Sequence, residues 1–227
     1  MNFWESIVGV VKKPTEFFTK LARRDSIGEG FLFLLLMGVL ITVCSSGNLF
    51  FSFQTTFGPL LKIFGVETVG VDIEAVLVLV FAVFSLVSMI VMSFVNPCFF
   101  WLLSHIFGGK GTYAQTYNVL VYSVTPYVLL APLLLLQGIL LGMAGMLGQA
   151  AGGFVQLLSN LLFAPFSFAA LIWTVWLDCS GLSIAHKISK LRVFMSCFVL
   201  PTILLMLVAL LFFIGFLVLA VSAISAG

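Results

Sequence analysis

Residues 108–112 read Gly-Gly-Lys-Gly-Thr, and that run can do anion chemistry. A glycine-rich turn presents backbone amides, a helix starting behind it contributes its dipole, and Lys110 adds a positive charge. It is not a P-loop, which requires G-x-x-x-x-G-K-[ST] behind a buried strand. The ligand expected is a lipid-headgroup phosphate or a protein partner, and Lys187, Lys190 and Arg192 are the residues expected to join Gly108, Gly109, Lys110, Gly111 and Thr112 around it. The same run reads equally as a plain turn, because three glycines within four residues stop a helix. Thr112 and Gln115 have capping-box spacing, so a new helix is expected from about residue 113.

Other chemistry is sparse. The two histidines, His105 and His186, have no second ligand at i+4, so no zinc site is expected. Ser180-Gly181 and Ser183 lie near His186 in sequence, but in a segment read as a loop, which is a poor setting for a serine nucleophile. At 100° per residue, Asn118, Tyr122 and Thr125 fall within about 60° of one another. With Asn96 they are expected to form a polar cluster inside the membrane. Cys44, Cys98, Cys179 and Cys197 show neither CxxC nor disulfide spacing and read as buried small hydrophobes. The expectation is a non-enzymatic protein with no cofactor.

The elements that position these residues are membrane helices. Of 227 residues, 62% are apolar and only 8% charged, outside the range of a soluble domain. Residues 30–61, 75–109, 111–177 and 193–227 contain no Asp, Glu, Lys or Arg. Each window exceeds the ~20 residues that span a bilayer as a helix, and 111–177 has room for two spans. The fold class predicted is an all-α integral membrane protein with five transmembrane helices and an N-terminal interfacial amphipathic segment. The segments lack the in-out alternation of a β-barrel. A net charge of +2 gives no reason to expect nucleic acid as a partner.

Residues 1–29 form the amphipathic segment and 30–227 the membrane domain. Phe3, Trp4, Ile7, Val8 and Val11 recur at helical spacing, and Pro14 suits the first turn of a second helix whose Phe17, Phe18 and Leu21 oppose Glu16, Lys20 and Arg24. Five basic residues, Lys12, Lys13, Lys20, Arg23 and Arg24, suit anionic headgroups at ~1 kcal/mol each. No cleavage site follows Arg23-Arg24, so the segment is expected to remain on the mature protein. The spans are predicted at about 31–53, 73–107 with a kink at Asn96-Pro97, 113–143, 154–177 and 193–221. Residues 54–73 form an outer loop, 144–153 a small-residue turn and 178–192 a basic loop. Gly138 and Gly142 fit GxxxG. Every Lys and Arg except Lys62 lies in the N-terminal segment, the 108–111 turn or the 178–192 loop, which five spans place on one side. By the positive-inside rule that side, with the N-terminus, is cytoplasmic; the C-terminus lies outside and the location is the cell membrane.

The run GGKGTYAQTYNVLVYSVTPYVLLAP, with IWTVWLDCSGLSIAHKISKLR one helical hairpin later and FWESIVGVVKKPTEFF at the start, resembles the Yip domain family of Ypt/Rab-interacting membrane proteins, in its prokaryotic form. The resemblance covers nearly the whole chain. It implies a five-helix domain with a cytosolic N-terminus. Eukaryotic members act in vesicle traffic and bind Rab-type GTPases, but their long cytosolic N-terminal region and Asp-Leu-Tyr-Gly-Pro motif are not found here, so a Rab-type GTPase is not the expected partner. The function expected is a membrane-organising scaffold or adaptor that recruits membrane lipids or a membrane or cytoplasmic protein to its cytoplasmic face. The alternative is a lipid or small-solute transporter, against which the charge-free spans argue.

Overall fold

Charge-free apolar runs in the sequence require every backbone N–H and C=O to be satisfied locally, and helices do this. The computed structural model describes residues 2–56, 70–146 and 149–225, and every regular element among them is a helix. In chain order these are α1 (Phe3–Lys12), α2 (Pro14–Leu21), α3 (Gly28–Thr56), α4 (Gly70–Ile106), α5 (Tyr113–Ser123), α6 (Thr125–Leu129), α7 (Ala131–Met146), α8 (Gln149–His186), α9 (Lys190–Phe194), a π-turn (Met195–Val199) and α10 (Leu200–Ser225). Among the described residues three helices are long and apolar enough to cross a membrane: Leu79–Ile106, Ala151–His186 and Lys190–Phe216. Tyr113–Leu129 with Ala131–Ala144 makes a fourth if the bent pair is one span, and Gly28–Cys44 is a shorter apolar helix. The predicted loop at 54–73 falls largely on 57–69, outside the described residues.

Three expectations are corrected. The helix predicted over 113–143 is broken, with a 55° bend between Tyr113–Leu129 and Ala131–Ala144. Pro126 cannot donate to the Tyr122 carbonyl four residues back; the Thr125 hydroxyl donates to that carbonyl instead, at 2.6 Å. The turn predicted at 144–153 is mostly helical, since α7 runs to Met146 and α8 begins at Gln149. A Cβ at Gly142 would meet nothing within 4 Å; the close approach of these helices is at Gly152, where it would lie 2.6 Å from the Ala144 carbonyl oxygen. Gly142 therefore makes no GxxxG contact.

α4 is one helix that runs through Pro97. The third correction has most consequence for function. The span predicted to end at Leu177 continues to His186, and the basic loop shrinks to Lys187–Ser189. Lys187, with φ +56°, closes α8, and the Ile188 amide donates back to the Ser183 carbonyl at 3.2 Å. Ser189 then caps α9, accepting from the Arg192 amide. Pro201 follows a π-turn in which the Leu200 amide reaches the Met195 carbonyl.

The core lies where α1, α2, α3, α5 and α8 meet. Val10, Phe18, Tyr117, Val119, Leu177 and Leu182 are fully buried together. Tyr122 sits between Phe17 and Phe33, with ring centroids at 5.2 and 4.5 Å. At Gly181 a side chain would collide with Val119 and Phe18, so this glycine lets α2, α5 and α8 close on one another. Ile7 and Val10 of α1 and Phe17, Phe18 and Leu21 of α2 are buried against protein, whereas Trp4, at 67% exposed, and Val8 and Val11 remain on the outside of α1. By contrast α10 packs chiefly against its preceding π-turn, and its large side chains, such as Ile203, Leu205 and Phe212, are exposed.

Burial decides the first prediction. Phe18→Ala is expected to cost about 3 kcal/mol or more, whereas Trp4→Ala should stay within about 0.5 kcal/mol. Denaturant unfolding in a mild detergent measures both; equal small effects would mean that α2 lies on the membrane and not on the bundle.

Candidate functional site

The 108–112 turn ends α4 and begins α5, and its sequence is explained by what it touches. Gly108 has φ +88°, a conformation that closes a helix and strains a side chain. Gly109 and Gly111 pass so close to the end of α8 that a Cβ would fall 2.7 and 3.0 Å from His186 Nδ1. All five amides are used: Gly108 donates to the His105 carbonyl, Gly109 to Ser104, Lys110 to His186, Gly111 to His186 Nδ1 at 3.2 Å and Thr112 to Gln115 Oε1. The amides thus form no anion cradle. What the turn offers an anion is the exposed Lys110 side chain.

His186 is fully buried, not interfacial as the loop reading implies. Since Gly111 N–H donates to Nδ1, the proton sits on Nε2, which donates to Thr116 Oγ1 at 2.8 Å. The Thr116 hydroxyl in turn donates to the Thr112 carbonyl at 3.0 Å. Both ring nitrogens are therefore occupied, and neither Ser180 nor Ser183 pairs with the ring; Ser183 Oγ donates to the Ser180 carbonyl. Trp101, which the sequence reading does not single out, donates from Nε1 to the Gly111 carbonyl at 3.1 Å. Its ring lies 4.7 Å from that of His105, which meets His186 edge-on at 5.7 Å.

The start of α5 is tied to the segment joining α2 and α3. Thr112 and Gln115 form the predicted capping box, with the Thr112 hydroxyl accepting at 3.3 Å and its amide donating at 3.0 Å. Thr112 Oγ1 also donates to Asp25 at 3.3 Å, and Gln115 Nε2 donates to the Ala22 carbonyl at 2.7 Å. Asp25 at a helix N-terminus is favoured by the dipole. Asn118 donates to the Ser26 carbonyl at 2.9 Å; its Oδ1 would lie 2.4 Å from a Cβ at position 30, which is why Gly30 is a glycine. Arg24 pairs with Glu29 at the rim of a 310 Å³ recess beside Asn118 and Tyr122.

The basic residues of the turn and of 187–192 are thus drawn together through the Lys110 amide and the His186 carbonyl, next to α2. Lys110, Lys187, Lys190 and Arg192 are all exposed, and Lys190 Nζ lies over the Trp176 ring at 5.5 Å. The polar cluster does not assemble as expected. Asn118, Tyr122 and Thr125 are buried, but Asn96 is exposed on α4, with Ser93 one turn away, where it lines a different recess. Cys98 is likewise exposed, while Cys44, Cys179 and Cys197 are buried.

Asp178 is the residue the sequence reading places wrongly. Expected in a loop, it lies within α8, 7% exposed, with no hydrogen-bond partner for Oδ1. The premise that no ionisable residue lies deep in a span therefore fails. The available signal is the helical recurrence of Leu177, Gly181, Leu182 and Ala185 through this stretch, outweighed by the polar residues between them.

A family model for the Yip1 domain matches residues 8–213. The chain belongs to the Yip1 domain family. The matched region runs from within α1 into α10, so α2 and the whole 108–112 turn are parts of the Yip1 domain. This is a membrane-protein family linked in general to Rab/Ypt interaction and not known for catalysis. Comparison with curated proteins and with solved structures gave no match.

The hydrogen-bond chain yields the second prediction. Thr116→Val leaves His186 Nε2–H buried without an acceptor, and should cost about 1–3 kcal/mol. Lys110→Ala, at an exposed side chain, should change stability by less than about 0.5 kcal/mol. Thermal unfolding in detergent compares them, and a Thr116→Val protein as stable as the parent would remove the His186 clamp from the account.

Proposed function

We propose that this Yip1-family protein is a non-enzymatic scaffold or adaptor of the cell membrane, with five spans, a cytoplasmic N-terminus and an external C-terminus. Its cytoplasmic face recruits anionic lipid or a protein partner. The observation that carries this reading is the stitching of three basic segments at one end of the bundle. α2 packs on α8, the 108–112 turn bonds to His186, and Lys187–Arg192 continues from that same residue. Five basic residues on α1, α2 and the segments after them join four on the other two segments. Glu5, Glu16, Asp25 and Glu29 lie among them, with Glu16 pairing Lys13 and Glu29 pairing Arg24, so the face keeps a positive excess smaller than the count of basic residues; anionic headgroups contribute about 1 kcal/mol per basic residue near the surface.

The five-span count rests on adding α3 to the four apolar units, since α3 continues as a helix of 29 residues. The apolar side chains this segment leaves exposed are Trp4, Val8 and Val11, while Phe17 and Phe18 face inward. Membrane attachment at this end therefore combines these side chains with charge, and the charge part is sensitive to salt.

Lys110→Gln tests recruitment. Eight basic residues would remain on that face, so insertion should be unchanged while co-purified phosphatidylglycerol or protein partner falls by severalfold. Unchanged retention would reduce the turn to a structural role. Orientation is checked separately by impermeant thiol labelling of Thr15→Cys and Ala226→Cys in a background without the native cysteines; only Ala226→Cys should react in intact cells, and equal reaction at both refutes the topology.

A further inference from the structure

An acid with an unpartnered oxygen inside a membrane domain is costly. Desolvation of a carboxyl group without a hydrogen-bond partner amounts to several kcal/mol, and nearby groups ordinarily supply one. Asp178 lies on α8 with Oδ1 unpartnered. Its polar neighbour across the α5–α8 contact is Ser123, whose own hydroxyl donates to the Val119 carbonyl at 2.8 Å. Asp178 forms part of the wall of a recess of about 290 Å³ between α3, α4, α5 and α8. Among the described residues no Lys, Arg or His lines that recess.

The shape and lining identify what is missing. Leu34, Met89, Val121 and Val124 make most of the wall apolar, and Ser93 and Asn96 add polar groups on the α4 side. There Met92 and Asn96 are exposed, on the helix whose outward face, Val83, Val87, Val91 and Val95, is otherwise aliphatic and suited to lipid. The entrance is therefore lateral, toward the bilayer. Asp178 is eight residues from the basic end of α8, about 12 Å at 1.5 Å per residue, and two residues from Trp176, which is half-exposed beneath Lys190. Tryptophan so placed marks the boundary between headgroups and hydrocarbon.

We propose that this recess is a binding site for a lipid with a primary-amine headgroup, whose ammonium donates to Asp178, with Asn96 and Ser93 contacting the headgroup at the entrance. Apolar tails then lie against Met89, Met92 and the aliphatic face of α4. A primary ammonium supplies both the positive charge and the N–H donors that Asp178 lacks; a quaternary ammonium supplies charge without donors. An anionic headgroup brings no cation to the Asp178 carboxyl group, whereas the basic cytoplasmic face offers cations, so the two sites favour different headgroups.

Native mass spectrometry of the full chain, extracted from phosphatidylcholine vesicles containing equal amounts of phosphatidylethanolamine and phosphatidylglycerol with the same acyl chains, reads the selectivity. The parent should retain phosphatidylethanolamine over phosphatidylcholine by about tenfold, equivalent to about 1.4 kcal/mol. Asp178→Asn, which preserves shape, should abolish that preference and leave phosphatidylglycerol retention unchanged. Asn96→Ala, at an exposed position, should lower it severalfold without altering thermal stability, which keeps the site testable if Asp178→Asn does not fold. No preference in the parent, or a preference surviving in both variants, overturns the site. Displacement of the bound lipid by millimolar free ethanolamine would overturn its assignment as a lipid site.

Discussion

The hydrogen bond from the Gly111 amide to His186 Nδ1 is the interaction on which the basic end of this Yip1 domain depends. It joins the turn after α4 to the end of α8, two points far apart in sequence, and it fixes the imidazole in the tautomer that donates to Thr116. Through Thr116 and Thr112 it reaches the capping box of α5, and through Thr112 Oγ1 and Gln115 the segment that leads into α3. A ring nitrogen can accept a backbone amide this closely only if the peptide carries no side chain in the way, and Gly109 and Gly111 meet that condition. Glycine composition and histidine burial are two aspects of one contact.

That contact also explains why α8 is longer than its hydrophobicity indicates. Beyond Leu177 the chain reads Asp-Cys-Ser-Gly-Leu-Ser-Ile-Ala-His, polar enough to look like a loop. The segment stays helical because its surroundings are protein: α2 covers one side through Phe18 at Gly181, α5 another through Val119, and the turn closes the end. Tertiary packing can override local propensity in this way. The amphipathic N-terminal helices are legible as helices from their spacing and from Pro14. Their apolar faces read as facing lipid because a single sequence does not distinguish a face made for a bilayer from one made for a neighbouring bundle.

Helix content, the turn, the capping box and the family are all carried by local signals: apolar runs, glycine density, Thr112 with Gln115, and the motif from Gly108 to Pro132. What the sequence conceals depends on relations between distant residues. Trp101 donating to the Gly111 carbonyl has no spacing signature. The 55° bend is available in principle, since Pro126 and Pro132 both fall within the predicted span. Asn96 groups with Asn118, Tyr122 and Thr125 by depth alone, and depth does not determine which side of a helix faces a given neighbour. α4 turns Asn96 away from those residues, toward the recess shared with Asp178.

The fold thus keeps two kinds of polar group at its basic end under different rules. His186, Thr116, Thr112 and Gln115 satisfy one another, so they cost little to bury and confer rigidity. Asp178, in the next turns of the same α8 helix, is held by that rigid frame yet left with an unpartnered oxygen beside a laterally open recess. If the frame were loose, the carboxyl group could rotate toward water at the basic end of the bundle. With α2, α5 and the 108–112 turn closed around the end of α8, that route is blocked and the recess is the remaining direction from which a donor can arrive. The clamp at Gly111 and His186 is therefore what makes the position of Asp178 consequential.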